Sequence, residues 1–223
     1  MHGKGAPENS LAAAEAAIAA GMGIECDIQR SSDDVAMVFH DWDVERLTGE
    51  QGQTGSMPAA FLSELQYQAS REKPASLAQL LRLIAGRVPL LIEIKSKPGY
   101  DVERSCEIVS YAVAAYSGDV AIMSFDPRVA AWVRANSPQT CCGLVMREDE
   151  HGYTQTAAER WEAFEHAQPD FLAYHIAALP NDWVAGLREN GLPILSWTVN
   201  SPNTRARALA HVDALVSEGA GLP

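Results

Sequence analysis

Past residue 20, apolar runs of strand length alternate with stretches of helical periodicity along this 223-residue chain. The runs at 23–28, 36–40, 89–95, 120–125, 140–145, 171–174, 193–199 and 214–217 predict strands. Helices are predicted over 10–20, 60–69, 76–85, 101–116, 127–136, 157–167, 181–190 and 202–210. Start signals fit: Asn9 or Ser10 before the alanine-rich first helix, Ser76 before Leu77, and Asp126 ahead of Pro127. Gly21, Gly86 and Gly191 fall where helices should stop. Such alternation predicts a parallel sheet with helical crossovers, wound open or closed as a barrel. No G-x-G-x-x-G follows a strand, which removes the main support for dinucleotide binding. The interval 42–75 breaks the alternation with a turn-rich segment, Thr48 to Gly55. It is read as an excursion within a single domain spanning 1–223, too short to build a core of its own.

Acidic residues sit inside the apolar runs. Side chains two apart on a strand share a face, so Glu25 and Asp27 point together, as do Glu93 and Lys95. Two unit charges about 4 Å apart repel by roughly 4 kcal/mol at an effective dielectric near 20. Converging carboxylates therefore call for a cation, and hard oxygen ligands point to Mg²⁺ or Ca²⁺ rather than zinc. The competing explanation is a salt-bridge cluster with Lys95 or Arg30. His40, at the end of its strand, could likewise be a core histidine.

Composition narrows the partners. The formal charge of −12 argues against nucleic acid or an anionic membrane. An anionic small-molecule substrate would be repelled at long range, so its site must carry local positive charge. No apolar run approaches the ~20 residues that cross a bilayer, and no signal peptide is visible, which gives a cytoplasmic expectation. Cys26, Cys106, Cys141 and Cys142 show no metal-ligand spacing and are expected to be reduced and buried. The acidic stretch Arg147 to His151 is expected to be a solvated loop.

The ordered set Pro7-Glu8-Asn9-Ser10-Leu11, Glu25-Cys26-Asp27, His40-Asp41 and Arg46-Leu47-Thr48-Gly49 resembles the glycerophosphodiester phosphodiesterases. The likeness continues through Ile92-Glu93-Ile94-Lys95, Ser124-Phe125, Trp197-Thr198-Val199-Asn200 and Val212-Asp213-Ala214-Leu215, nearly the whole chain. It implies a TIM-type (β/α)8 barrel with a divalent metal, Mg²⁺ or Ca²⁺, on Glu25, Asp27 and Glu93. It also implies His40 acting on the scissile phosphodiester and Lys95 close to the phosphate. The reaction would release glycerol 3-phosphate and an alcohol. Trp197, near a strand end, is expected to wall the glycerol moiety. Ser124, Phe125, Asn200 and His175 are weaker candidates, Asn200 serving equally as the cap of helix 202–210.

One departure stands out. The family opens with an apolar strand running into His-Arg-Gly, about five residues before Pro-Glu-Asn, whereas only Gly3 to Ala6 separate His2 from Pro7. Once the hairpin strand 36–40 is set aside, seven barrel strands are predicted instead of eight. The sequence is therefore expected to lack the first strand, its catalytic histidine and the closing helix, leaving the edges of 23–28 and 214–217 open. Two further readings stand beside hydrolysis: a barrel that binds metal or glycerophosphate without turnover, and enolase-type proton abstraction.

Overall fold

A computed structural model describes residues 5–223; His2 lies outside the described residues. The chain forms two compact units, divided between Ala121 and Ile122.

The first unit opens with α1 (Leu11–Ala19), β1 (Ile24–Arg30) and β2 (Ala36–Val38). The short helices α2 (Glu45–Thr48) and α3 (Ala59–Leu62) follow, then β3 (Ala75–Ser76), α4 (Leu77–Ile84), β4 (Leu90–Ile94) and α5 (Val102–Ala114). β1 and β4 pair in parallel, with Asp27 opposite Glu93. Burial along β1 and β4 is nearly continuous, as expected of parallel strands covered on both faces. Leu77, Leu80, Leu81 and Ile84 of α4 form one buried stripe at helical spacing. Burying a leucine of this kind contributes about 1.5–3 kcal/mol. A capping box of Ser76 and Gln79 starts that helix.

The outer edge of β1 is partly covered. β2 pairs with it antiparallel through residues 28–30, as the predicted hairpin requires. Further along, the Asp27 amide donates to the Asn9 side chain at 3.1 Å.

The excursion departs from the sequence expectation. The predicted helix 60–69 stops at Leu62, because Leu65 and Tyr67 are both buried two residues apart, a strand-like rather than helical interval. The backbone beyond Leu65 is non-helical: the Tyr67 amide donates to the Glu72 carbonyl at 2.9 Å and that of Gln68 to the Leu47 carbonyl at 2.8 Å. Leu62, Leu65 and Tyr67 pack with Met37, Phe39 and Val44. The segment thus builds its cluster against β2. The two-residue β3, not foreseen, pairs antiparallel with β2.

β5 (Val120–Ser124) runs across the division in sequence. The second unit continues with α6 (Pro127–Asn136), β6 (Cys141–Met146), α7 (Ala157–Ala167), β7 (Phe171–His175), α8 (Asp182–Glu189), β8 (Ile194–Val199), α9 (Pro202–His211) and β9 (Ala214–Ser217). β6 to β9 are joined by successive parallel pairings. Gly143 in β6 is required by close approach: a Cβ there would fall 2.2 Å from the Phe171 ring. Asp126, Thr156, Asn181 and Ser201 cap their helices. Ser201, not Asn200, starts α9, because its hydroxyl accepts from the Thr204 amide at 3.2 Å. Three cysteines are buried as expected, whereas Cys141 is exposed. No helix among the described residues is long and apolar enough to cross a membrane.

Candidate active site

Parallel register between β1 and β4 brings the predicted acids together. One oxygen each from Glu25, Asp27 and Glu93 falls within a set no more than 4.8 Å apart. Asp27 is 6% exposed and Glu93 8%, so little water screens them. Lys95 reaches back to Glu93 at 2.9 Å and to Asp27 at 3.3 Å. Burial foremost, then the Asp27 charge, pushes the Glu25 carboxyl up to about 7. Burial likewise lifts Glu93 to about 7, against the pull of Lys95. For Asp27 burial acts upward too, but Lys95, then His40 and the Asn9 hydrogen bond, outweigh it and hold the carboxyl below its usual range. The same acids raise the Lys95 ammonium against its own burial. Two carboxylates held near neutrality mark a cluster whose negative charge is incompletely compensated. A hard divalent cation fits this donor set: three oxygens on adjacent strands, no sulfur, and residual negative charge.

Of the two cap candidates, Asn9 and Ser10, the structure selects Ser10 and gives Asn9 another task. Its side chain does not cap α1, a task done by Ser10, whose hydroxyl accepts from the Ala13 amide at 3.1 Å. Asn9 adopts φ +56° and is 2% exposed. Its amide nitrogen donates to Asp27 Oδ2 at 2.9 Å while its oxygen accepts from the Asp27 backbone at 3.1 Å. Asparagine tolerates this left-handed backbone better than most residues, and both ends of the carboxamide then lock one acid. The contact spans eighteen residues and has no local signature.

His40 follows β2, where the Phe39 amide donates to the Asp27 carbonyl at 2.9 Å. The turn is fixed by the Gln29 side chain, which donates to the His40 carbonyl at 3.0 Å and also to that of Asp41. His40 Nδ1 lies 2.7 Å from Asp41 Oδ1. Arg46 donates to both oxygens of Asp41, one at 3.0 Å, and reaches Glu8 Oε2 at 3.0 Å. Burial acts to raise Asp41, but Arg46 and then His40 outweigh it and keep it ionised. That carboxylate takes the hydrogen bond of Nδ1, which leaves Nε2 as the ring nitrogen without this partner. The ring remains 49% exposed, which excludes the core-histidine reading. Glu8, His40 and Asp41 also lie close enough to bracket an ion, but Arg46 already occupies both carboxylates.

In the second unit Trp197, on β8, donates its indole N–H to the Ala173 carbonyl at 3.1 Å. Phe125 meets it edge-on at 5.3 Å, and His175 lies 4.7 Å from its ring centre. Arg147 sits 5.6 Å over the indole. Ser124 is buried and accepts from the Asp126 amide at 3.1 Å. The stretch 147–151 is more structured than a solvated loop. Glu148 accepts from the Tyr174 hydroxyl and from Asn181 at 2.7 Å, and pairs with Arg160 at 3.2 Å.

Known proteins resemble this chain along most of its length. The model of the glycerophosphoryl diester phosphodiesterase family matches residues 2–219. A glycerophosphodiester phosphodiesterase of Caldanaerobacter subterraneus subsp. tengcongensis is 25% identical, over 96% of this chain and 90% of that protein. An Oleispira antarctica phosphodiesterase, solved with the product sn-glycerol-3-phosphate, superposes with a TM-score of 0.82 at 22% identity, covering 95% of this chain and 87% of that one. The Thermotoga maritima glycerophosphodiester phosphodiesterase gives 0.77 at 23% identity, covering 95% and 88%. These likenesses show the fold to be the TIM-type α/β fold of those enzymes.

Proposed function

The chain belongs to the glycerophosphoryl diester phosphodiesterase family, a family of phosphoric diester hydrolases, and from that premise we propose that it hydrolyses glycerophosphodiesters to glycerol 3-phosphate and an alcohol in a metal-dependent reaction. The observation that carries this reading is the trio Glu25, Asp27 and Glu93, the first half-buried and the other two buried, with oxygens within 4.8 Å of one another beside Lys95.

Those three acids would hold one divalent cation, Mg²⁺ or Ca²⁺. Once bound, the cation supplies Lewis-acid stabilisation of charge on the phosphoryl oxygens. Lys95 adds a fixed positive charge where negative charge grows during displacement at phosphorus, and its low exposure keeps that charge effective. His40 exchanges a proton at Nε2 with the attacking or departing oxygen. Asp41 steadies the imidazolium so formed and is itself anchored by Arg46, which Glu8 holds in turn. Asn9 keeps the Asp27 carboxylate from turning away. On the family resemblance, Trp197 is assigned to the glycerol moiety. The His40–Asp41 pair has no counterpart in the enolase-type alternative, and family membership sets that alternative aside.

The test is hydrolysis of glycerophosphocholine with Mg²⁺ or Ca²⁺ supplied, followed as glycerol 3-phosphate released. Chelation should abolish turnover and either ion restore it. Activity that survives chelator, or is unchanged in Glu25→Gln, sinks the reading.

A further inference from the structure

Beyond the proposed machinery, the loops after β2 and β4 carry a cation with no assigned work. Lys97-Pro98-Gly99-Tyr100 closes a tight turn. The Tyr100 amide donates to the Lys97 carbonyl at 3.0 Å, and Gly99 takes φ +77° after Pro98, the residue pattern of a type II turn. The two outer residues of that turn both close on Trp42, in the loop that carries His40. Lys97 Nζ stands 4.3 Å above the Trp42 ring, while Tyr100 meets the same indole edge-on at 5.3 Å and 73°. The Tyr100 hydroxyl in turn accepts from the Arg30 amide, the last residue of β1, at 3.3 Å. The ends of β1, β2 and β4 are thereby tied together around one tryptophan.

Cations nearby are already matched. Arg30 faces Asp34, Arg46 faces Asp41 and Glu8, and Arg104 faces Asp34 and Glu107. Lys97 has no ion pair among the described residues. It follows Lys95 by two positions, past the carboxyl end of β4, the end at which Glu93 also lies. A lysine normally surrenders much rotamer freedom when it is immobilised. Here the turn and the indole fix it before any ligand arrives, which is preorganisation for binding.

We propose that Lys97, seated on Trp42 and braced by Tyr100, forms a subsite for an anionic group, carboxylate or phosphate, on the alcohol portion of the diester. The inference rests on the phosphodiesterase reading above and adds to it a class of preferred substrate. A quaternary ammonium headgroup would meet the Trp42 face already taken by a cation. Because the chain carries a formal charge of −12, a doubly anionic diester is repelled at a distance, so its selection depends on a local cation of this kind.

Three probes separate the possibilities: glycerophosphoglycerol, whose alcohol is neutral; the glycolate diester of glycerol 3-phosphate, which adds a carboxylate; and bis(glycerophospho)glycerol, which adds a second phosphate. Dissociation constants are measured by calorimetry on the full chain held metal-free by chelator, where no turnover occurs, alongside kcat/KM with Ca²⁺ supplied. The expected result is tighter binding of at least one doubly anionic probe than of glycerophosphoglycerol. Lys97→Met should weaken that preference about fivefold and move glycerophosphoglycerol by less than about twofold, while Lys97→Arg preserves it. Which probe responds identifies the group recognised. An equal loss across all three in Lys97→Met, as a merely structural clamp would give, overturns the proposal, and so does no loss at all. Refusal of all three probes while glycerophosphocholine is still hydrolysed overturns this subsite alone, whereas refusal of glycerophosphocholine as well overturns the phosphodiesterase reading and the subsite with it.

Discussion

Asp27 and Glu93 in the first unit share one ammonium, from Lys95, whereas in the second unit Asp149 has Arg147 to itself and Glu148 has Arg160. The consequences diverge. Glu93 is pushed up to about 7, mainly by burial. Asp149 is pulled down to about 2, mainly by its Arg147 hydrogen bond. Matched charges stabilise locally and ask nothing of a ligand. Acids crowded under partial compensation instead keep an unfavourable electrostatic energy that a divalent cation relieves. Counting acids does not distinguish the two clusters; counting their cations and their water does.

The comparison breaks most sharply if Glu93→Gln leaves turnover intact. About a thousandfold fall in kcat/KM is expected, with loss of Mg²⁺ or Ca²⁺ binding by calorimetry. His40→Ala should cost about a hundredfold or more in kcat. Its melting temperature should barely change, since the ring is half exposed; a large drop would reassign His40 to structure. Asn9→Ala should weaken metal affinity about ten- to hundredfold, as loss of a group that orients a ligand does. Unchanged affinity would reduce the Asn9–Asp27 contact to packing. For the matched cluster, Glu148→Gln should lower stability by about 1–3 kcal/mol, read from denaturant unfolding, because a charged acceptor of two donors, paired with Arg160, becomes a neutral one.

A final test uses pH on the metal-free chain. Glu25 and Glu93 titrate near 7 when folded and near 4.5 when unfolded. The unfolded state therefore loses those protons first, and stability should fall as pH rises from about 4.5 to 7. Asp27, held low, acts in the opposite sense: its contribution is present above its unfolded value and lost on acidification. Saturating Mg²⁺ or Ca²⁺ should flatten the fall, and a metal-free profile rising through that window would contradict the assignment.

What the sequence disclosed and what it hid follow a physical division. The strands were legible because the buried runs around Ile24, Ile92 and Ile194 are continuous and bounded by turn residues. Side-chain alternation put Glu25 with Asp27 and Glu93 with Lys95 before any coordinates. Register between β1 and β4 was not legible, since it is set by pairing across more than sixty residues. Asn9 stood beside Ser10 as a cap candidate because caps are local, whereas its partner Asp27 is a tertiary neighbour. Residues 63–69 looked helical from composition, yet Leu65 and Tyr67 are held by a cluster on β2. Glu148 looked solvated because Tyr174, Asn181 and Arg160, its partners, are scattered along the chain.

Glu8, Asn9 and Ser10 divide three tasks among adjacent positions: Glu8 anchors the arginine behind His40, Asn9 locks Asp27, and Ser10 starts α1. Insertion or deletion of a single codon within this tripeptide would put all three out of phase at once, so the segment can change in spelling far more readily than in length.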